Sequence, residues 1–272
     1  MFIHEALMHR IRTGCRTMTW PDGPAPPLPD LHGGALALDP GRCGDGCHAC
    51  VPVCPTAAIT RAPGQPVALD LGRCVFCRAC VDVCPAGAIR ATGDHRMAVR
   101  RRADLVLGGE DGGNLRLGGP LDAPLRRLFG RSLRLRQVSA GGCNACEADT
   151  NVLGTIGWDL ARFGVQFVAS PRHADGLLIT GPVTRAMELA LRKTYDAVPG
   201  PKVVIAVGAC AIAGGPFAGH AEVLNGAEPV VPIDLFISGC PPHPLTILDG
   251  LLRLIGWIQD DGRRKGDENP DN

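Results

Sequence analysis

Two stretches of this chain are copies of one another, and both are built around cysteine. Residues 37–59 read ALDPGRCGDGCHACVPVCPTAAI and residues 68–89 read ALDLGRCVFCRACVDVCPAGAI. They share Ala-Leu-Asp, Gly-Arg-Cys, Ala-Cys-Val, Val-Cys-Pro and a closing Ala-Ile, the mark of a duplicated unit. The second copy spaces Cys74, Cys77, Cys80 and Cys84 as C-x2-C-x2-C-x3-C and continues with Pro85. The first holds Cys43, Cys47, Cys50 and Cys54, then Pro55, with one additional residue in its first gap.

That spacing is the one by which bacterial ferredoxins hold iron–sulfur clusters. Three thiolates on a tight loop wrap three corners of a cuboidal [4Fe–4S] cluster. The fourth cysteine, where the chain leaves the loop, ligates the cluster of the other run. Cys43, Cys47, Cys50 and Cys84 are therefore expected at one cluster, and Cys54, Cys74, Cys77 and Cys80 at the other. Small residues at Ala49 and Ala79 let the backbone approach. Zinc prefers C-x2-C pairs separated by a longer loop, a poorer match. The additional residue lies in Gly44-Asp45-Gly46, whose glycines make a bulged loop accessible. His48, inside this loop, reads as solvent-facing or as a neighbour of the ligands.

There are 13 cysteines in the 272 residues. The N-terminal segment MFIHEALMHRIRTGC has no long apolar core, so no secretory signal is expected, and so many cysteines then favour metal over disulfides. The longest uncharged run, Val203–Gly219, is broken by glycines and Pro216 and falls short of the roughly 20 apolar residues of a bilayer helix. A net charge of +1 and 4% aromatic residues argue against a nucleic-acid partner.

Beyond Leu133 the pattern changes to an α/β alternation. Strands are expected at Leu133–Val138, Val165–Ala169, Gly176–Thr180, Lys202–Val207 and Asp234–Ile237, and helices near Asn151–Phe163, Thr184–Tyr195 and Pro244–Ile258. This predicts a mostly parallel sheet covered by helices, with ligands gathered beyond the carboxyl ends of its strands. Four further cysteines fall there. Cys143 and Cys146 follow the first strand, Cys210 the Val203–Val207 run, and Cys240 the strand ending at Ile237, each beside Gly or Pro. A buried, inert thiol explains any one of them. It is a poor explanation of all four.

Residues 1–108 resemble the two-cluster ferredoxin subunit of respiratory complex I and of formate hydrogenlyase. The likeness rests on the paired runs and on the lead: an amphipathic helix (Phe2, Ile3, Ala6, Leu7 and Ile11 against Arg10 and Arg12), then Thr17-Met18-Thr19-Trp20-Pro21. In that family the lead arm lies against the membrane subunits and the neighbouring iron–sulfur subunit. Read from its residues alone, the helix is as readily a local packing element. Residues 137–258 resemble the small subunit of group 4 membrane-bound [NiFe] hydrogenases, homologous to the 20 kDa subunit of complex I, through GGCNACE, ITGPVT, GACAIAGGPF and GCPPHP. This resemblance implies that Cys143, Cys146, Cys210 and Cys240 hold a third [4Fe–4S] cluster. It also implies a partner, a [NiFe] hydrogenase-type or complex I 49 kDa-like large subunit, together with membrane subunits at the cytoplasmic face of the inner membrane. Complex I usually has adjacent cysteines where Asn144 and Ala145 intervene here, which favours the hydrogenase branch. Glu147 and Asp149 are candidates for a proton relay, or for acceptors at the start of the next helix. Cys15 is left over as a packing residue or free thiol.

The organisation expected is an amphipathic arm (1–36), an α+β two-[4Fe–4S] ferredoxin domain (37–108), a Gly/Arg-rich linker (109–132), an α/β flavodoxin-like domain with a mostly parallel sheet (133–258) and a disordered tail (259–272). The function expected is that of an iron–sulfur subunit of a membrane-associated, energy-converting [NiFe] hydrogenase of the formate hydrogenlyase type, carrying electrons through three clusters to or from the large subunit's catalytic centre. A complex I-type subunit, a stand-alone ferredoxin and a zinc-structured interaction protein are the alternatives.

Overall fold

Each repeat ends by pairing with the beginning of the other. In the computed structural model, which describes residues 2–29, 31–44, 46–62, 65–108 and 115–258, strand β1 (Leu36–Leu38) opens the first repeat. It lies antiparallel to β4 (Ile89–Ala91), the end of the second, with Leu38 opposite Ile89. Strand β2 (Ile59–Thr60) closes the first repeat and pairs with β3 (Ala68–Asp70), the start of the second, with Ile59 opposite Leu69. Strand β6 (Val106–Gly108) extends that sheet to three strands. The one-turn helix α2 (Ala79–Asp82) carries Cys80. Leu36, Leu38, Ile59, Leu69, Leu71, Ile89, Leu105 and Leu107 are buried between these pieces. The N-terminal helix α1 (Phe2–Thr13) precedes them and leaves Ile3, Leu7 and Ile11 exposed.

The second half is a layered α/β unit. Strands β7 (Leu133–Ser139), β8 (Val165–Phe167), β9 (Gly176–Thr180), β10 (Val203–Val207) and β11 (Leu235–Ile237) lie side by side in the order β11-β10-β9-β7-β8, all parallel. Numbered within this unit, that is 2-1-3-4-5, the flavodoxin-like order with its switch point between β7 and β9. A sixth strand, β5 (Ala98–Val99), comes from the N-terminal half and pairs antiparallel with β11, so the edge of β11 is not left open.

Alternation along the strands decides what covers each face. Val203, Ile205 and Val207 of β10, with Leu235 and Ile237 of β11, face helix α7 (Pro244–Leu254) and its Leu245, Leu248 and Leu251. The intervening Val204 faces the layer of helix α5 (Arg185–Ala197), with Leu191. Ala206 and Phe236 instead pack with the leucines of the cysteine repeats. The repeat domain thus takes the position of a covering helix. The arm is tied to the same unit: Met18 N–H donates to Gly157 O (2.9 Å), and Arg162 donates to Met18 O (2.7 Å) and Trp20 O (2.6 Å). Trp20 is buried there. Helix α3 (Ala123–Phe129) precedes β7 and buries Phe129 in the same core.

Three expectations differ from what is observed. The helix placed near Asn151–Phe163 is instead α4 (Ala145–Val152), followed by turns and a 3-10 turn at Leu160–Phe163. The left-handed Asn144 starts it early, and beyond Val152 the amides of Leu153 and Gly154 bond only three residues back. A short helix, α6 (Gly208–Ala213), follows β10 where a loop was expected. Helix α7 ends at Leu254 rather than near Ile258. The tail at 259–272 lies outside the described residues.

Candidate metal centres

Among the described residues, none of the thirteen cysteines forms a disulfide. The crossed strand pairing gathers eight of them. The thiol of Cys50 lies within electrostatic reach of those of Cys43, Cys84 and Cys47, two from its own loop's start and one from the other repeat. Cys74 is likewise within electrostatic reach of Cys80, Cys54 and Cys77, and Cys80 of Cys50, so the two groups are neighbours. Pro55 and Pro85 end the two runs, and just beyond them the amides turn back. Ala58 N–H donates to Cys54 Sγ and Ala88 N–H to Cys84 Sγ, both at 3.2 Å. Phe76 N–H donates to Cys74 Sγ at 3.3 Å.

The second half brings together the other four. Cys143 and Cys240 are exposed, Cys146 and Cys210 partly buried, and Cys146 lies within electrostatic reach of Cys210, Cys240 and Cys143. Their elements explain the arrangement. Asn144 is left-handed (φ 70°), so the chain turns sharply after Cys143 and enters α4, where Cys146 is the second residue. Arg78 (φ 64°) makes the same turn between Cys77 and α2. Cys210 is the third residue of α6 rather than part of a loop. These thiols lie at the carboxyl ends of β7, β10 and β11, beside the switch point, where a parallel sheet binds its ligands.

The donor set and its electrostatics fit iron–sulfur clusters. Burial, reinforced by neighbouring thiols, pushes Cys74 up to about 12, Cys80 up to about 11 and Cys210 up to about 12, and it raises Cys50, Cys146 and Cys240. Thiolates crowded together, with some of them buried, are unfavourable until a positively charged group joins them. At Cys84 burial also raises the pKa, but the amides of Ile89, Ala88, Ala86 and Gly87 outweigh it and the net shift is downward. All-sulfur donors are those that select iron–sulfur clusters or zinc. Glycines keep room beside the thiols. A Cβ at Gly208 would come 2.6 Å from Cys146 Sγ, and one at Gly215 would come 2.7 Å from Cys210 Sγ.

Neighbouring polar residues complete the picture. Glu147 is buried, and its Oε1 accepts from Ser139 Oγ and Thr180 Oγ1, both at 2.6 Å, which ties α4 to the ends of β7 and β9. Asp149, the other relay candidate, is half-buried, and burial raises its pKa. His48 is exposed, as is Cys15, whose thiol donates to Thr17 O. Two contacts were not foreseeable from single residues. Ser238 Oγ donates to Leu71 O, and Arg61 donates into the first cysteine loop. Comparing the repeats offers one signal, since Arg61 stands where the second copy has Ala91.

Residues 42–88 match the 4Fe-4S dicluster domain, and residues 143–254 match the NADH ubiquinone oxidoreductase 20 Kd subunit. Formate hydrogenlyase subunit 7 of Escherichia coli is 38% identical over 154 residues, which are 55% of this chain and 60% of that protein. A probable membrane-bound hydrogenase subunit of Pyrococcus furiosus is 41% identical over 133 residues, 49% of this chain and 80% of that one. An NADH-quinone oxidoreductase subunit of Heliobacterium modesticaldum is 41% identical over 121 residues, 44% of this chain and 69% of that one. Fold, thiols and relatives define an iron–sulfur electron-transfer subunit of an oxidoreductase complex. The chain belongs to the family of the NADH ubiquinone oxidoreductase 20 Kd subunit, with a dicluster domain ahead of the family's fold.

Proposed function

We propose that this chain joins two neighbouring electron-transfer modules of a membrane-associated [NiFe] hydrogenase of the formate hydrogenlyase type, and that it holds three [4Fe–4S] clusters. Cys43, Cys47, Cys50 and Cys84 hold the first, Cys54, Cys74, Cys77 and Cys80 the second, and Cys143, Cys146, Cys210 and Cys240 the third. Such clusters take up and release single electrons, and three in line conduct between a donor and a redox centre in a partner.

The observation that carries this reading is the contact between the two halves. Leu71, three residues before Cys74, accepts from Ser238, two residues before Cys240. A Cβ at Gly72 would lie 2.8 Å from the side chain of Ile212, two residues beyond Cys210. The segment leading into the Cys74 loop therefore adjoins the segments that carry Cys210 and Cys240, while Cys50 and Cys80 relate the first group to the second. These contacts support the order first, second, third. The exposed thiols of Cys143 and Cys240 support a large subunit seated over the third group. Covalent linkage keeps one module at high effective concentration beside the other.

Among the described residues no helix is long and apolar enough to cross a membrane. By its resemblance to subunits of membrane-bound complexes, the reading assigns the chain a peripheral position, on the cytoplasmic face, against membrane subunits. The separation of Cys143 from Cys146 by two residues favours the hydrogenase branch over a complex I-type subunit that delivers electrons to quinone. Co-purification of the large subunit from the native source, with nickel determination, tests this choice. Stoichiometric nickel is expected. A nickel-free partner that passes the chain's electrons on to quinone contradicts it.

A further inference from the structure

The two repeats are alike at their fourth cysteines and differ at their first. Cys54 and Cys84 each accept a main-chain N–H, from Ala58 and Ala88, at the same distance of 3.2 Å. Cys74 likewise accepts a main-chain N–H, from Phe76. Cys43 instead accepts from a guanidinium: Arg61 Nη1 lies 3.3 Å from Cys43 Sγ, 3.1 Å from Gly44 O and 2.7 Å from Cys47 O. Aligning Cys54 with Cys84 sets Arg61 opposite Ala91, which has no side-chain donor to offer. Among the described residues, the cationic contact is thus found at the loop that carries the additional residue and not at its counterpart.

Charge on the acceptor side makes this more than a brace. A hydrogen bond from a permanently charged donor to a thiolate strengthens as negative charge accumulates on the sulfur. Net charge and hydrogen bonds to sulfur are among the factors that set a cluster's reduction potential. Adding one electron to a cluster adds one negative charge, which a half-buried guanidinium stabilises at short range.

We infer that Arg61 is a positioning residue that acts through Cys43, holding the enlarged loop closed and raising the reduction potential of the cluster this loop carries. The inference rests on the ligand assignment proposed above. The test uses the full chain, reconstituted anaerobically and titrated potentiometrically with low-temperature EPR detection. The first cluster's signal is identified by its loss in Cys50→Ser. In Arg61→Gln that signal should persist and titrate at lower potential, while the signals of the other clusters keep theirs. In Arg61→Lys, which keeps the charge, it should stay near the parent potential. Persistence at the parent potential in Arg61→Gln overturns the inference. So does loss of the signal in both variants, which would make Arg61 a brace alone. A parent chain with no signal that depends on Cys50 overturns the ligand assignment instead, and the two failures are told apart.

Discussion

Ser238 donates its hydroxyl to the main-chain carbonyl of Leu71, and so ties the strand end that precedes Cys240 to the segment that leads into Cys74. Ser238 is fully buried, and so is the leucine. Both residues lie directly ahead of cysteine loops, so their bond joins two cysteine-bearing segments across the interface between the halves.

Ser238→Ala leaves that carbonyl buried without this donor, at a cost of about 1–3 kcal/mol. The variant is expected to melt at a lower temperature by anaerobic calorimetry. Electron transfer between the second and third clusters, followed after rapid reduction, should slow. Unchanged values for both would show that the bond does not hold the junction.

The crossed strand pairing makes a sharper prediction. Cys84→Ser should weaken the signal of the cluster built mainly by the first repeat, and Cys54→Ser that of the cluster built mainly by the second. EPR of the reconstituted variants reads this. Damage confined to the mutated residue's own repeat would contradict the assignment.

At Gly208 the backbone is left-handed (φ +90°), and a Cβ would come 2.6 Å from Cys146 Sγ. Gly208→Ala is therefore expected to lower the iron content from about twelve toward about eight per chain, with the third cluster lost. Gly200→Ala, where a Cβ meets nothing within 4 Å, is the control and should retain all the iron.

Three histidines predict a pH dependence. His32 and His95 are held below their ordinary value of 6.5 by burial, and His243 by burial and then by His32 and His95. The rings of His32 and His243 lie 5.3 Å apart, edge to face. Because the folded chain favours the neutral rings, the unfolded chain binds more protons below pH 6.5. This contribution to stability is complete above that pH and is lost as the pH falls below it. Melting temperatures recorded from about pH 7.5 down to about pH 5.5 should fall, and His95→Gln should flatten the curve. Parallel curves for parent and variant would contradict this.

The fold was legible where single residues speak for whole elements. Five apolar runs marked the parallel strands, and the cysteines of each run marked where chain must turn toward a common point. Helix α6 was not legible because Gly208–Ala213 is apolar throughout and shows no helical period. Strand β5 has only two residues, and its partner is β11, far along the chain, so its existence depends on tertiary docking. Glu147 was legible as a residue of interest, but not the two hydroxyls that fix it, because Ser139 and Thr180 meet only when β7 and β9 lie side by side. The same holds for Arg61, whose three acceptors lie at least fourteen residues earlier in the chain.

The central claim is that twelve of the thirteen thiols work in three groups of four. Anaerobic reconstitution of the full chain, followed by determination of iron and acid-labile sulfide, tests it most directly. The expected result is about twelve irons and about twelve sulfides per chain. A saturated preparation with about eight of each would remove the third cluster, and a colourless zinc protein without sulfide would contradict the account as a whole.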